Sequence, residues 1–191
     1  MIKDLFKIPI LEADLNTDIK TLKKHCLKIK KSSATVYVSN TGYQSPPLRL
    51  DHIFKLLLEN IRPHLSKFYH LLDIPQELTL SNFWVNINHH RDYNKRHDHP
   101  RSLISGIFYV EVPNNSGDII FINPTKYFLY SEALTNTQTK SPYNNSWVAI
   151  SPTNNQLLLF PSYLEHEVAA NQSKKDRISI SFNFRVSNDK N

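Results

Sequence analysis

Histidines crowd one stretch of this chain. Residues 89–100 read His89-His90-Arg91-Asp92-Tyr93-Asn94-Lys95-Arg96-His97-Asp98-His99-Pro100. Far downstream stand Phe160-Pro161-Ser162-Tyr163-Leu164-Glu165-His166, then Arg177-Ile178-Ser179 and Ser181-Phe182-Asn183. Residues two apart on a strand face one side, so His97 and His99 project together and offer two imidazoles to one metal ion. His166 follows a strand ending in Phe160-Pro161 and is placed to supply a third. Imidazole suits iron, zinc, copper and nickel alike. Three protein ligands leave coordination positions open, as catalytic rather than structural sites do. His90-Arg91-Asp92 spells a competing His-x-Asp pair, although Asp92-Tyr93-Asn94 also reads as a turn. His64 and His70, on an expected helix, read as surface residues.

Arg177 and Ser179 share a face of the last strand. A guanidinium and a hydroxyl pointing inward form a clamp for a carboxylate. A buried arginine is costly without an anion, so an interior Arg177 demands a ligand or an internal acid; the ordinary alternative is a surface ion pair with Asp176 or Glu167. Tyr109 shares a face with Ser105 and is a candidate to turn its hydroxyl inward. Asn86, Asn88 and Asn183 either line a pocket or serve strand-edge hydrogen bonds.

The elements that must hold these groups change character near Pro75. Before it, Leu15, Ile19, Leu22 and Cys26 recur at helical spacing within 11–31, and Ala34–Val38 (ATVYV) reads as a short strand. Asp51 is placed to cap a helix bearing Ile53, Phe54, Leu57, Leu58 and Ile61, which Pro63 should kink or divide. Leu65, Phe68, Tyr69 and Leu72 continue the stripe. After Pro75 the period becomes two, with strands expected over 79–88, 103–112, 117–122, 147–150, 156–160 and 177–186. Residues 136–145 read as a site-lining loop. Helices followed by many short strands argue for an antiparallel sandwich or barrel on a helical support.

At 191 residues the chain fits one domain, 1–191, divided into a helical support region (1–75) and a β core (76–187). Hydrophobic residues at 40% and charged residues at 21% exclude a disordered chain. One cysteine, Cys26, excludes a disulfide framework and reads as structural; three glycines exclude a phosphate-binding glycine loop. No apolar run suggests a membrane span, and the expected address is the reducing cytoplasm. The net charge of +6 is weak evidence for a polyanionic partner; on charge alone a nucleic-acid partner is not expected. Pairing of sheet edges makes a homodimer a candidate assembly.

His-x-His-Pro at 97–100, Leu-Ile-Ser-Gly-Ile-Phe-Tyr-Val at 103–110, Phe-Pro-Ser-x-Leu-x-His-x-Val at 160–168 and Arg-Ile-Ser-x-Ser-Phe-Asn at 177–183 together resemble a family of iron(II)/2-oxoglutarate-dependent oxygenases found in bacteria and their phages. The likeness runs from about Ser81 to Phe184, and the opening Leu5-Phe6-Lys7-Ile8-Pro9-Ile10 is similar to that family's start. It implies a mostly β fold with N-terminal helices, a double-stranded β-helix (jelly roll, cupin-like). It also implies Fe(II) on His97 and His166, and 2-oxoglutarate as co-substrate with its far carboxylate on Arg177 and Ser179. Tyr109 becomes a candidate donor to that carboxylate. The reaction implied is a dioxygenase hydroxylation of a small-molecule or peptide substrate, releasing succinate and CO2. The wider superfamily carries a carboxylate where His99 stands. Either His99 ligates, leaving the centre one negative charge short, or it only hydrogen-bonds and water takes the third position. Pro100 and the strand after it sit where the family's motif has them, which favours His97/His99 over His90/Asp92. The rival is a cupin-like Zn or Ni protein without oxygenase activity.

Overall fold

The computed structural model describes residues 6–125 and 145–187. The chain runs β1 (Leu11–Asp14), α1 (Ile19–Ser32), β2 (Tyr43–Gln44), α2 (His52–Leu71), β3 (Leu78–Asn88), β4 (Asn94–His97), β5 (Ile104–Glu111), β6 (Ile119–Ile122), β7 (Trp147–Ile150), β8 (Gln156–Pro161), β9 (His166–Val168) and β10 (Arg177–Val186). A six-stranded sheet has the order β1-β8-β5-β10-β3-β2 and a four-stranded sheet the order β4-β9-β6-β7, every described pairing being antiparallel. This is the expected double-stranded β-helix with N-terminal helices. No helix among the described residues is long and apolar enough to cross a membrane.

Three local expectations need correction. The helical window from Leu11 begins as a strand: Leu11–Asp14 pairs with β8, Leu11 opposite Leu159, and an available sheet edge outweighs the weak helical period. The helix starts only at Ile19, where the Asp18 carboxylate accepts the N–H groups of Lys20 and Thr21 at 3.1 Å. Ala34–Val38 is not a strand. The edge of β3 is taken by Tyr43–Gln44, and the Val36 N–H reaches Gln44 O at 2.9 Å without forming a ladder. Pro63 does not divide α2, which runs unbroken under its Asp51 cap (Phe54 N–H to Oδ1, 3.0 Å). Pro63 is exposed, so water can serve the carbonyl it leaves unpaired. The expected loop 136–145 lies outside the described residues apart from Asn145, as does the opening Leu5.

The helices cover one face of the large sheet. Phe83, Val85 and Ile87 of β3 pack with Phe54, Leu57, Ile61 and Phe68 of α2 and Leu22 and Cys26 of α1. Burying each large side chain contributes roughly 1.5–3 kcal/mol. Gly106 lies opposite Phe182, whose ring would be 2.1 Å from an added Cβ, so that position must stay bare. Between the sheets a smaller cluster of Ile107, Tyr109, Ile119, Phe121, Leu158, Phe160 and Leu164 closes one end. The rest of the intersheet space is a cavity of mixed polar and apolar lining, and the histidines are there.

Candidate active site

His97 ends β4 and faces His166, the first residue of β9, in direct register. His99 lies just past the strand end, its N–H bonded to Ser162 O at 3.0 Å. The ring centroids are 4.4 Å (His97–His166), 5.1 Å (His97–His99) and 5.1 Å (His99–His166) apart, and one nitrogen from each ring lies within 4.8 Å of the others. Residues 97, 99 and 166 thus converge and could hold one metal ion. His97 Nδ1 sits 2.7 Å from Lys95 O, and His166 Nδ1 2.9 Å from Leu164 O. A carbonyl only accepts, so Nδ1 carries the proton on both rings and Nε2 keeps a free lone pair, the tautomer that a metal needs. Among the described residues, the His99 ring makes no hydrogen bond and leans on Trp84 at 5.8 Å.

Burial keeps the rings neutral. It pushes His166 down to about 3 and His99 to about 4, with the charge of His97 adding in both cases. His97 is also lowered by burial, against the opposing pull of the Lys95 carbonyl and Asp98.

Arg177, at the start of β10, is 2% exposed. Its Nη1 donates to Ser116 O (3.2 Å) and Gly117 O (3.1 Å), while Nε is buried without a partner. Neither suspected acid serves it: Asp176 bonds His89 at 2.6 Å, and Glu167 bonds Arg96 at 3.2 Å. Burial therefore lowers the guanidinium from its ordinary value, with Tyr109 and Asp118 opposing. Ser179 sits between Asn86 on β3 and Tyr109 on β5 in register. Tyr109 is 2% exposed and burial pushes its hydroxyl up to about 12, with Arg177 acting the other way. His97, His99, His166, Arg177, Ser179 and Tyr109 all line one cavity of about 310 Å³.

The competing His90-x-Asp92 pair is spent on a turn. Asp92 accepts the His89 N–H at 2.8 Å, and exposed His90 lies 3.1 Å from Ser173 O. Asn86 and Asn183 line the cavity, whereas Asn88 sits behind it, bonding Asn94 at 3.1 Å. Sequence reasoning missed the carbonyls of Ser116 and Gly117 that cradle Arg177. Gly117, with φ +90° and Ala169 O 2.2 Å from any added Cβ, was the available signal. It also missed a buried ladder, Ser162 to Ser105 to Asn183 at 2.8 Å per step. Such a ladder links residues scattered through the chain and has no local pattern.

Fold and site together define a jelly-roll protein whose cavity brings three histidines that could hold a metal ion alongside a buried arginine. The family described as "Putative 2OG-Fe(II) oxygenase" matches residues 82–183, more than half of the chain. The protein belongs to that family, and its chemistry runs on Fe(II) with 2-oxoglutarate. Solved structures share the fold. A Pseudomonas putida prolyl-4-hydroxylase is 13% identical, with 94% of each chain covered and a TM-score of 0.65. A Trichoplax adhaerens prolyl hydroxylase in complex with a hypoxia inducible factor peptide fragment is 16% identical, covering 93% of this chain and 83% of that one at 0.66. HygX from Streptomyces hygroscopicus, with nickel, 2-oxoglutarate and hygromycin B bound, is 12% identical, covering 95% and 84% at 0.66. No curated protein sequence matches the chain.

Proposed function

We propose that this protein is an Fe(II)/2-oxoglutarate-dependent dioxygenase that hydroxylates a small-molecule or peptide substrate, with His97, His99 and His166 as the metal ligands and Arg177, Ser179 and Tyr109 as the 2-oxoglutarate cradle. The observation that carries it is a buried guanidinium that makes no ion pair among the described residues, with Asp118 acting on it only at longer range, in the same cavity as three neutral imidazoles. The residues present fit both groups. A divalent ion suits three unprotonated ring nitrogens. A carboxylate supplies the anion that Arg177 lacks, and its orphaned Nε shows an unmet demand. When bound, Fe(II) and 2-oxoglutarate would supply, with dioxygen as oxidant, a decarboxylation in which CO2 leaves, one oxygen atom enters succinate and the other is delivered to the substrate as a hydroxyl.

The chain's own part is positional. The Lys95 and Leu164 carbonyls fix the tautomers of His97 and His166. The Ser116 and Gly117 carbonyls hold one edge of Arg177. Tyr109, held protonated by burial, remains a donor. Among structural relatives, one holds a peptide fragment and another hygromycin B, so both substrate classes stay in the reading.

We read the chain as one catalytic domain, 1–191, with residues 1–75 as support and 76–187 as core, working in the cytoplasm. A homodimer belongs to this reading, supported by outer strand β7, which exposes Trp147 and Val148. The test is succinate formation from 2-oxoglutarate that requires added Fe(II) and is lost in Arg177→Ala. Tight zinc binding with no 2-oxoglutarate binding would return the protein to the cupin-like class.

A further inference from the structure

Helix α1 reads IKTLKKHCLKIKKS: six lysines, one histidine and no acid in fourteen residues. Lys23 pairs with Glu111 at 2.9 Å, and Lys30 reaches His89 at 2.7 Å, so the two flanking lysines are engaged. Lys20, Lys24, Lys28 and Lys31 are all exposed. At 100° per residue these four fall within an arc of about 80° opposite buried Leu22 and Cys26, spaced about 6, 6 and 4.5 Å along the axis. Lys20 lies beside the capping Asp18; Lys24, Lys28 and Lys31 have no acidic partner among the described residues. Like charges at i,i+4 work against a helix, and nothing within α1 offsets them.

A second observation follows this helix in the chain. Five residues beyond Ser32, Tyr37 is 76% exposed and Val38 72%. Val36 and Val38 line the mouth of the catalytic cavity. A row of cations, with an exposed aromatic ring shortly after it in the chain, is the combination that tracks a phosphate backbone and stacks a base. A membrane surface fits less well, because α1 exposes no large apolar residue to insert.

We propose that the outer face of α1, continued by Tyr37, docks single-stranded nucleic acid. Lys20, Lys24, Lys28 and Lys31 contact successive phosphates and Tyr37 stacks a base. The lysine row lies outside the catalytic cavity, while Tyr37 sits between two residues, Val36 and Val38, that line it; the proposal does not depend on how the metal and 2-oxoglutarate site is read.

The test is fluorescence anisotropy with fluorescein-labelled dT20 and the full chain across a salt series. Four contacts predict a slope of log K against log salt near about −2.8, from about 0.7 per contact on a single strand. Lys24→Glu/Lys28→Glu is expected to weaken binding at least tenfold at 100 mM salt and to flatten the slope by about 1.4. That change also creates opposite-charge neighbours along α1, so the helix survives it, which circular dichroism checks. Tyr37→Ala is expected to weaken binding about tenfold with the slope unchanged. The control, Lys55→Glu/Lys67→Glu on exposed positions of α2, carries the same charge change and is expected to cost less than threefold. Equal losses in the control and α1 variants would overturn the proposal, as would no binding to dT20 at 50 mM salt. Poly-glutamate displacing dT20 at equal charge would also overturn it, as would phosphatidylserine vesicles binding through Lys24 and Lys28 when dT20 does not.

Discussion

Replacing Arg177 with methionine separates ligand recognition from folding. The guanidinium is 2% exposed and makes two carbonyl bonds, at 3.2 and 3.1 Å. Breaking a buried charge pair costs roughly 2–5 kcal/mol, so the Kd for 2-oxoglutarate should rise about 30- to 3000-fold at 1.4 kcal/mol per decade. The ligand-free fold responds differently. Methionine removes a buried, unpaired cation that costs several kcal/mol but strands two carbonyls at about 1–3 kcal/mol each. These oppose each other, and stability without ligand should change by less than about 2 kcal/mol. The assay is thermal unfolding of protein loaded with redox-inert Ni(II), with and without 2-oxoglutarate. Wild type gains about 2.7 kcal/mol at one hundred times Kd, while Arg177→Met should gain less than about 0.9 kcal/mol at the same concentration. A Kd within threefold of wild type would refute the clamp. A collapsed fold without ligand would refute the claim that Arg177 is held for an anion rather than for packing.

Other outcomes follow from the same geometry. His99→Ala should weaken Ni(II) binding at least tenfold and be restored by millimolar imidazole; a loss under threefold in equilibrium dialysis would return the third position to water. Because the imidazoles sit below the ordinary value of about 6.5, His99 at about 4 and His166 at about 3, metal affinity should change less than tenfold between pH 7 and 5.5. Three unperturbed histidines would lose about 600-fold over that span. The sign for folding is that the metal-free protein carries their full contribution above pH 6.5 and loses it as pH falls toward 4 and then 3, since the unfolded chain takes up protons first; chemical unfolding at pH 7, 5 and 4 checks this. Gly117→Ala, forced to φ +90° with its Cβ 2.2 Å from Ala169 O, should destabilise by about 1–3 kcal/mol and raise KM for 2-oxoglutarate. Tyr109→Phe should keep the fold and weaken 2-oxoglutarate about tenfold, read by the same titration.

Much of the site was legible because its chemistry is carried by residue type and short spacing. His97-x-His99 and Arg177-x-Ser179 each use the two-residue period of a strand, and β10 spans the expected 177–186. His99 nonetheless lies beyond the end of β4. It reaches the other rings because its backbone is tied to Ser162, a contact that no spacing rule encodes. Strands β1, β2 and β9 escaped notice because they are two to four residues long and form where a partner edge is present, whereas the equally short β6 and β7 stand out as the apolar runs IIFI and WVAI. The same logic ran in reverse at Ala34–Val38, where strand propensity is strong and the edge is already taken. Charge was misleading when summed and informative when placed. A net charge of +6 says little, whereas four exposed lysines on the outer face of a helix without acids define a surface.

Desolvation unites the two halves of the catalytic cavity. At the surface, three imidazoles this close would repel one another only when protonated, and each would titrate near the ordinary histidine value. A guanidinium there would be satisfied by water. Enclosed between the sheets, the same loss of water lowers all three histidines and leaves Arg177 in need of an anion. One physical cause therefore prepares a cation site and an anion site in about 310 Å³. The all-histidine centre fits this arrangement. On the proposed ligand set, neutral ligands would leave a divalent ion its full charge to attract a dianion, and Arg177 would meet the far end of that dianion. A carboxylate at position 99 would cancel part of the first attraction, so histidine there favours binding of the dicarboxylic acid.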